Sequence, residues 1–563
     1  MDDRIRRLAI SVFVAMVAVG LAIGLVLGAL VARRKHALSD VQDGATTTSA
    51  AVMPPSPGAP ALGEAMQALR AADTSAAEVA LERAIVLDPT FAAAHLELGL
   101  VRLTTGRSAQ PHFARANENV GTLGEREAKL LRALSPCVAS AGGDMTDCIG
   151  PVRVLLAGDF ATDPQLHAIT AWLLLGTGEP GEGLAVATRG LDLDPRFAFG
   201  WLTRGAIEAF LGRYDDALAS FEACSKQAPG STACLRAKAH LYSHLGEPSS
   251  CERTARVLVD RSPSDPSAAL VLADALASNQ RPASEVRAAI DRAVTLASEP
   301  SRAALRARLE GALAAREGDL ERAIIKYEVA LGALSYDSDS RRYRTILWPL
   351  LELLHETGAD PRAAEIATQV QQRSPSEGAD ALASLDAVLH PTPLIVTARY
   401  RAKALDDDAR KRALEIFARS AGGSRGRAHL PEIWIAAWGA TADTKQQADD
   451  AFTRLRAENV GASWYEPGVP RLRGRAARLA GRLDEAIEDL EPASRSCLAL
   501  TAPTADVAAS YELGQALEAK GDDAAACTAY RSVVELWGRA RPPPLTAKKA
   551  KKRRAALHCK AEK

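Results

Sequence analysis

His240 and His244 stand four residues apart, a spacing that places two imidazoles on one face of a helix where both could reach one metal ion. Cys234 and Cys251 lie near them in sequence. No HExxH motif accompanies the pair, and no carboxylate falls at ligand spacing. The two histidines therefore read as residues lining a surface, and no metal or cofactor is expected. The arginines suggest different chemistry. Arg471, Arg475 and Arg478 follow i, i+4, i+7 spacing, and Arg308 and Arg316 lie two turns apart on another segment. Guanidinium groups grip carboxylates through paired hydrogen bonds, so a row of them would suit an acidic segment or a C-terminal carboxylate. Arg236 extends the set, and Trp172, Phe210 and Trp348 fall at similar positions as candidate apolar anchors. Taken singly, each arginine is also an ordinary solubility residue on an Ala-rich helix.

The run KKAKKRR at 548–554 is a possible electrostatic handle for phosphates or anionic lipid. It has no interleaved aromatics, and the 69 basic residues of the whole chain are matched by 69 acidic ones. A nucleic-acid partner is therefore not expected, and the run reads first as the solvated face of a terminal helix. No catalytic set is assembled: GxSxG, a phosphate-binding Gly-rich loop and a dinucleotide fingerprint are all absent. Asp406–Asp408 reads as a helix start or a loop. The chain is not expected to be an enzyme.

The eight cysteines contain no CxxC, which removes zinc-knuckle and thioredoxin-like readings. Cys137 with Cys148, Cys224 with Cys234, and Cys497 with Cys527 are near neighbours along the chain. An even count with such proximity fits disulfides in an oxidising compartment, against the alternative of buried thiols.

The elements that must position these residues repeat. Gly178, Gly212 and Gly246 are 34 apart, and so are Pro195, Pro229 and Pro263. Glycine ends helices well and proline cannot sit inside one, so each 34-residue block of 164–265 predicts helix, Gly turn, helix, Pro stop. Further units follow at Gly311/Gly318/Ala323, Gly474/Gly481/Ala486 and Gly514/Gly521/Ala526. Residues 121–163 and 378–465 break the register; the first contains a Gly-rich loop at Cys137–Cys148, either an insertion closed by a disulfide or a degenerate repeat. A chain of 563 residues exceeds what one core supports, a limit that stacked repeats escape. The scarcity of aromatics (5%) agrees with close helix packing.

The middle block, AFGWLTRGAIEAFLGRYDDALASFEACSKQAPGS, resembles the tetratricopeptide repeat through Trp201, Gly205, Gly212, Tyr214, Ala217, Phe221 and Pro229, with Cys224 where a second Ala is usual. The resemblance implies an all-α superhelix of helical hairpins over 61–540, with a concave groove that binds protein or peptide partners. Gly205 and Ala217 would face each other inside the hairpin. Within this frame Trp172, Phe210, Arg236, His240, His244, Arg308, Arg316, Trp348, Arg471, Arg475 and Arg478 are the candidate groove residues. The C-terminal run also looks like the tail of the repeat-bearing sensor halves of bacterial membrane-spanning Ser/Thr kinases. No HRD-type loop and no DFG are present, so the implied reading is a sensor subunit whose catalyst lies on another chain.

Residues 8–32 form an uncharged apolar run without Pro, preceded by a short tail 1–7. Twenty-five helical residues reach about 37 Å, enough to cross a hydrocarbon core of about 30 Å. A single-pass anchor in a bacterial inner membrane is expected, followed by a Ser/Thr/Pro-rich tether over 33–60. Gly20, Gly24 and Gly28 would allow two spanning helices to approach closely and form a homodimer. Three basic residues flank each side of the run, so charge does not orient it. The cysteines and the sensor resemblance favour a periplasmic body, with the cytoplasmic face as the alternative. Residues 541–563 are expected to form a basic capping helix and tail. The expected role is a membrane-anchored scaffold or sensor that binds protein or peptide partners. An enzyme with its site in 121–163 or 378–465 is the remaining alternative.

Overall fold

The computed structural model describes residues 56–104, 109–138, 146–158, 160–334, 340–373, 392–421, 438–458 and 469–560. The apolar run 8–32, the glycines Gly20, Gly24 and Gly28, and the tether up to residue 55 lie outside the described residues. No helix among the described residues is long and apolar enough to cross a membrane. The tether ends earlier than its predicted limit of 60: Ser56 Oγ donates to Asp88 at 2.6 Å, and the first helix starts at Ala59.

Helices account for the architecture, and no strand occurs among the described residues. The predicted 34-residue blocks fold as hairpins: Pro164–Gly176 with Pro180–Leu193, Ala198–Phe210 with Tyr214–Gln227, and Ala233–His244 with Pro248–Arg261. Local chemistry sets these limits. Gly178, Gly212 and Gly246 take φ values of +90°, +74° and +66°, a left-handed conformation that costs a side-chain-bearing residue about 1–2 kcal/mol. Asp73, Asp163, Asp265, Asp319 and Asp522 cap the helices that follow them by accepting backbone N–H groups left without partners at the helix start. Asp406 does the same for Ala409 at 2.7 Å, which makes the acidic run a helix start.

Inside a hairpin the close approach is managed differently from the prediction. A Cβ at Gly205 would lie 2.7 Å from the Phe221 ring, so it is Phe221, and not Ala217, that fills the space over this glycine. The same aromatic-over-glycine contact recurs with Tyr327 over Gly311 and Tyr530 over Gly514.

The chain divides into two compact units, with the boundary between Ala237 and Lys238. In the first unit, residues 121–163 resolve into a degenerate hairpin whose helices Glu125–Leu134 and Thr146–Ala157 pack together and are joined by Cys137–Cys148. This unit closes on itself. The opening helix Ala59–Arg70 touches Ala198–Phe210, Arg70 pairs with Asp194, and Ser231 Oγ donates to the Ala72 carbonyl at 3.3 Å. The helix Pro164–Gly176 is consequently buried on every side from Gln165 to Leu175.

The second unit contains the hairpins Pro266–Ser278/Ala283–Leu296, Glu299–Glu317/Leu320–Gly332 and Ser340–Glu356/Asp360–Arg373, which form an arch. Two C-terminal hairpins, Val469–Leu479/Leu483–Ala493 and Ala505–Ala519/Asp523–Trp537, fold back against that arch. The second shares its apolar core, with Tyr530 and Trp537 beside Tyr327, Leu347 and Leu350, and the first packs in a separate core with Leu414, Phe417 and Trp438. The terminal helix Leu545–Ala556 closes the unit, buries Thr546, Ala547 and Ala550, and is tied to the preceding helix by Cys527–Cys559.

Candidate functional site

The seam between arch and C-terminal hairpins gathers many of the residues that the sequence marked as a groove. It is built from first helices, which carry the inward face of each hairpin. Asp274 accepts from the Leu500 N–H at 2.7 Å, the Thr501 N–H at 2.8 Å and the Thr501 hydroxyl at 2.7 Å. Trp537 Nε1 donates to the Ala315 carbonyl at 3.0 Å, and Leu320 N–H donates to the Arg541 carbonyl at 2.8 Å beside an isolated backbone bridge. Glu356 accepts from Thr546 N–H at 2.8 Å and its hydroxyl at 2.5 Å. Cys251–Cys497 fastens the near end of the seam, where Cys497 N–H also donates to Ser243 Oγ at 3.0 Å.

Three of the candidate arginines, Arg316, Arg471 and Arg475, are held in ion pairs in this seam. Arg471, only 5% exposed, donates to Glu352 at 2.5 Å, and Thr504 donates to the other oxygen of the same carboxylate. Arg316 pairs with Asp506. Arg475 pairs with Asp443 and with Glu512 at 3.3 Å, while Arg401 reaches Asp443 at 3.6 Å. Burial alone would raise the Glu352 carboxyl; Arg471, Thr504 and Trp348 outweigh it and hold the group below its ordinary range. Burial likewise opposes Asp443, and Arg401 with Arg475 again prevails, lowering it. At Glu512 burial wins over Arg471, Arg475 and Arg478, and the carboxyl is raised. Arg478 is lowered by burial, with Glu512 opposing.

Between Trp348, Glu352, His355, Arg401, Arg471 and Arg475 lies a cavity of about 70 Å³, room for a few waters. Its charges already face one another, so it is a neutralised seam and not a prepared anion site.

The candidate groove is therefore not an open surface. Trp172 is 0% and Phe210 3% exposed within the first unit, and Arg316 and Arg471 are buried ion-pair partners within the second. Arg308, Trp348, Arg475 and Arg478 are half-buried there, as are His240 and His244; Arg236 is half-buried on the same helix as the two histidines. The physical reason is that each unit curls back on itself: the opening helix meets Ala198–Phe210 in the first, and the C-terminal hairpins cover the inner face in the second.

The cysteines also depart from their expected pairing. Cys137–Cys148 and Cys224–Cys234 join as their proximity suggested, but Cys497 pairs with Cys251 and Cys527 with Cys559. With Cys234 and Cys251 in separate disulfides, neither can join the histidines. Among the described residues no group of three or more His, Cys, Asp or Glu is placed to hold a metal ion.

The acids completing the seam were missed in the sequence. Their signal is a carboxylate embedded in an otherwise apolar or small-residue stretch: Asp274 in VLADALA, Glu352 in LWPLLELLHE and Glu512 in SYELGQALE. A charge at such a position is costly unless an opposite charge or a set of donors meets it.

Antiparallel helical hairpins stacked with their first helices inward define a helical-repeat solenoid. The tetratricopeptide repeat family model matches residues 211–275, which contain the second helix of one hairpin, the whole of the next and the start of a third. Similar solved structures include a tetratricopeptide repeat protein from Parabacteroides merdae, 17% identical, covering 53% of this chain and 98% of that one with a TM-score of 0.29. A thermophilic repeat protein from Thermus thermophilus is 18% identical over 39% of this chain and 98% of its own, TM-score 0.25. MamA protein is 14% identical over 31% of this chain and 92% of its own, TM-score 0.18. No curated protein is matched.

Proposed function

We propose that this chain is a membrane-anchored, non-catalytic scaffold or sensor that binds protein partners on its outer faces. The apolar run 8–32 would serve as the anchor, with the repeat body on an oxidising, extracytoplasmic side. The four disulfides, which leave no free cysteine, support that compartment.

One observation carries the binding reading. Inner faces are closed, yet second helices leave apolar pairs in the open: Val79 (66% exposed), Val86 (79%) and Leu87 on one helix of the first unit, and Ile325 and Val329 on one helix of the second. Both sets lie at helical spacing on the outward side of a hairpin, so each forms a stripe and not a scattered residue. Capture of partners by the full chain, compared with the variants Val79→Asp/Val86→Asp and Ile325→Asp/Val329→Asp, tests this reading. A partner lost with either pair at unchanged helicity supports it; identical recovery from all variants contradicts it. An enzymatically active reporter at Lys563 that works only in the cytosol would refute the compartment.

A further inference from the structure

The terminal helix Leu545–Ala556 carries a charge that the rest of the chain does not share. Residues 541–560 contain eight Lys or Arg and no Asp or Glu, in a chain whose formal net charge is zero. At about 100° per residue, Lys548, Lys549, Lys551 and Lys552 spread over an arc of about 160° on one side of the helix. All four are exposed, while Ala547 and Ala550 occupy the opposite, buried side. Lys551 Nζ donates to the Gly538 carbonyl at 2.6 Å, and Arg553 turns away to Glu518. Lys548, Lys549 and Lys552 have no acidic partner among the described residues.

The helix is also held at both ends. Thr546 bonds Glu356 at its start, and Cys559 is joined to Cys527 just past its end. The exposed face carries lysines without the Asn, Gln or bidentate Arg that read base edges, and among the described residues no exposed aromatic stands beside it to stack on bases. What it can do is lie against a flat, negatively charged surface. Lysines suit such a surface because they are hydrated point charges on flexible stems and need no fixed bidentate geometry.

We propose that the lysine face of Leu545–Ala556 docks the C-terminal end of the protein on anionic phospholipid headgroups of a bilayer. This goes beyond partner binding and does not depend on the apolar run 8–32, because it concerns the opposite end of the chain. The attraction is electrostatic, so it acts within a screening length of about 10 Å at 0.1 M salt. Each lysine near such a surface is worth a factor of about five in binding.

The test uses the full chain with a donor dye at its C-terminus, combined with vesicles carrying an acceptor lipid. Energy transfer is compared in phosphatidylcholine vesicles with and without phosphatidylglycerol. Transfer is expected to rise with phosphatidylglycerol, and that rise is expected to vanish at 1 M NaCl, where screening falls to about 3 Å. The variant K548Q/K549Q/K551Q/K552Q is expected to lose the phosphatidylglycerol-dependent part while keeping its helicity and the Cys527–Cys559 disulfide. Equal transfer in neutral vesicles, or full transfer in the quadruple variant, overturns the proposal. So does displacement by inorganic phosphate at matched ionic strength, which would indicate a local phosphate site, or by duplex DNA at concentrations that leave headgroup binding of a free oligolysine intact.

Discussion

Arg471 and Glu352 lie 119 residues apart in sequence and meet at 2.5 Å in the seam of the second unit. This pair turns a predicted ligand-binding arginine into a structural one. Removing one partner of a buried pair leaves the other charge desolvated and uncompensated, typically at a cost of about 3–5 kcal/mol. Arg471→Met alone should therefore lower the urea midpoint of the full chain clearly. Arg471→Met combined with Glu352→Gln should recover part of the loss. Equal loss in the single and double variants would contradict the pairing.

The acid side of the pH profile is governed in part by His244. Burial lowers its pKa from 6.5 to about 4, with the charge of Arg473 pushing in the same direction. A histidine lowered in the folded state binds its proton more readily when unfolded. Its contribution to stability is thus fully present above about pH 6.5 and is lost as pH falls toward 4. The span corresponds to at most about 3 kcal/mol, less what water reaching the half-buried ring screens away. His244→Gln should flatten the midpoint between pH 6.5 and 4 relative to the parent chain. An unchanged slope would rule out His244 as the group responsible.

Gly514 offers a packing test in the same unit. A Cβ there would sit 2.5 to 2.9 Å from three atoms of the Tyr530 ring, and Tyr530 is fully buried. Overpacking of this kind costs about 1–3 kcal/mol. Gly514→Ala should destabilise by that amount. Gly521→Ala, at φ +87° with open space around it, should cost about 1–2 kcal/mol for backbone strain alone. Combining Gly514→Ala with Tyr530→Leu should relieve the first effect and leave the second untouched, which separates crowding from strain by urea titration.

The hairpins were legible in the sequence because Gly178, Gly212 and Gly246, with the prolines 34 residues apart, impose their limits locally through φ and the missing proline N–H. Cys137–Cys148 and Cys224–Cys234 were legible for the same reason, since each joins residues within one or two neighbouring helices. The seam was not. Asp274 with Thr501, Arg316 with Asp506, and Cys251 with Cys497 are fixed by how tightly successive hairpins curl, a property that accumulates over many small packing angles and appears in no single repeat. A groove inferred from one repeat assumes an open curve, and here the curve closes. Phe221 over Gly205 illustrates the finer limit: the sequence marked a position for a small residue without saying which side chain would cover it.

The Cys251–Cys497 disulfide spans 246 residues and should stabilise the closed unit by about 5 kcal/mol in the chain-entropy picture. Cys251→Ser with Cys497→Ser should accordingly increase protease cleavage in 492–506, the stretch that runs along the seam, while leaving the first unit resistant. Equal resistance in parent and variant would show that the seam holds without its crosslink.

The C-terminal hairpins of the second unit fill the inner face of their own arch. Disulfide mapping of the full-length protein under non-reducing conditions tests it most directly, because proximity along the chain favours Cys497 with Cys527 whereas the closed unit demands otherwise. Peptides linked as Cys251–Cys497 and Cys527–Cys559 are the predicted result. Recovery of a Cys497–Cys527 link, or of Cys251 and Cys497 as free thiols, would contradict it.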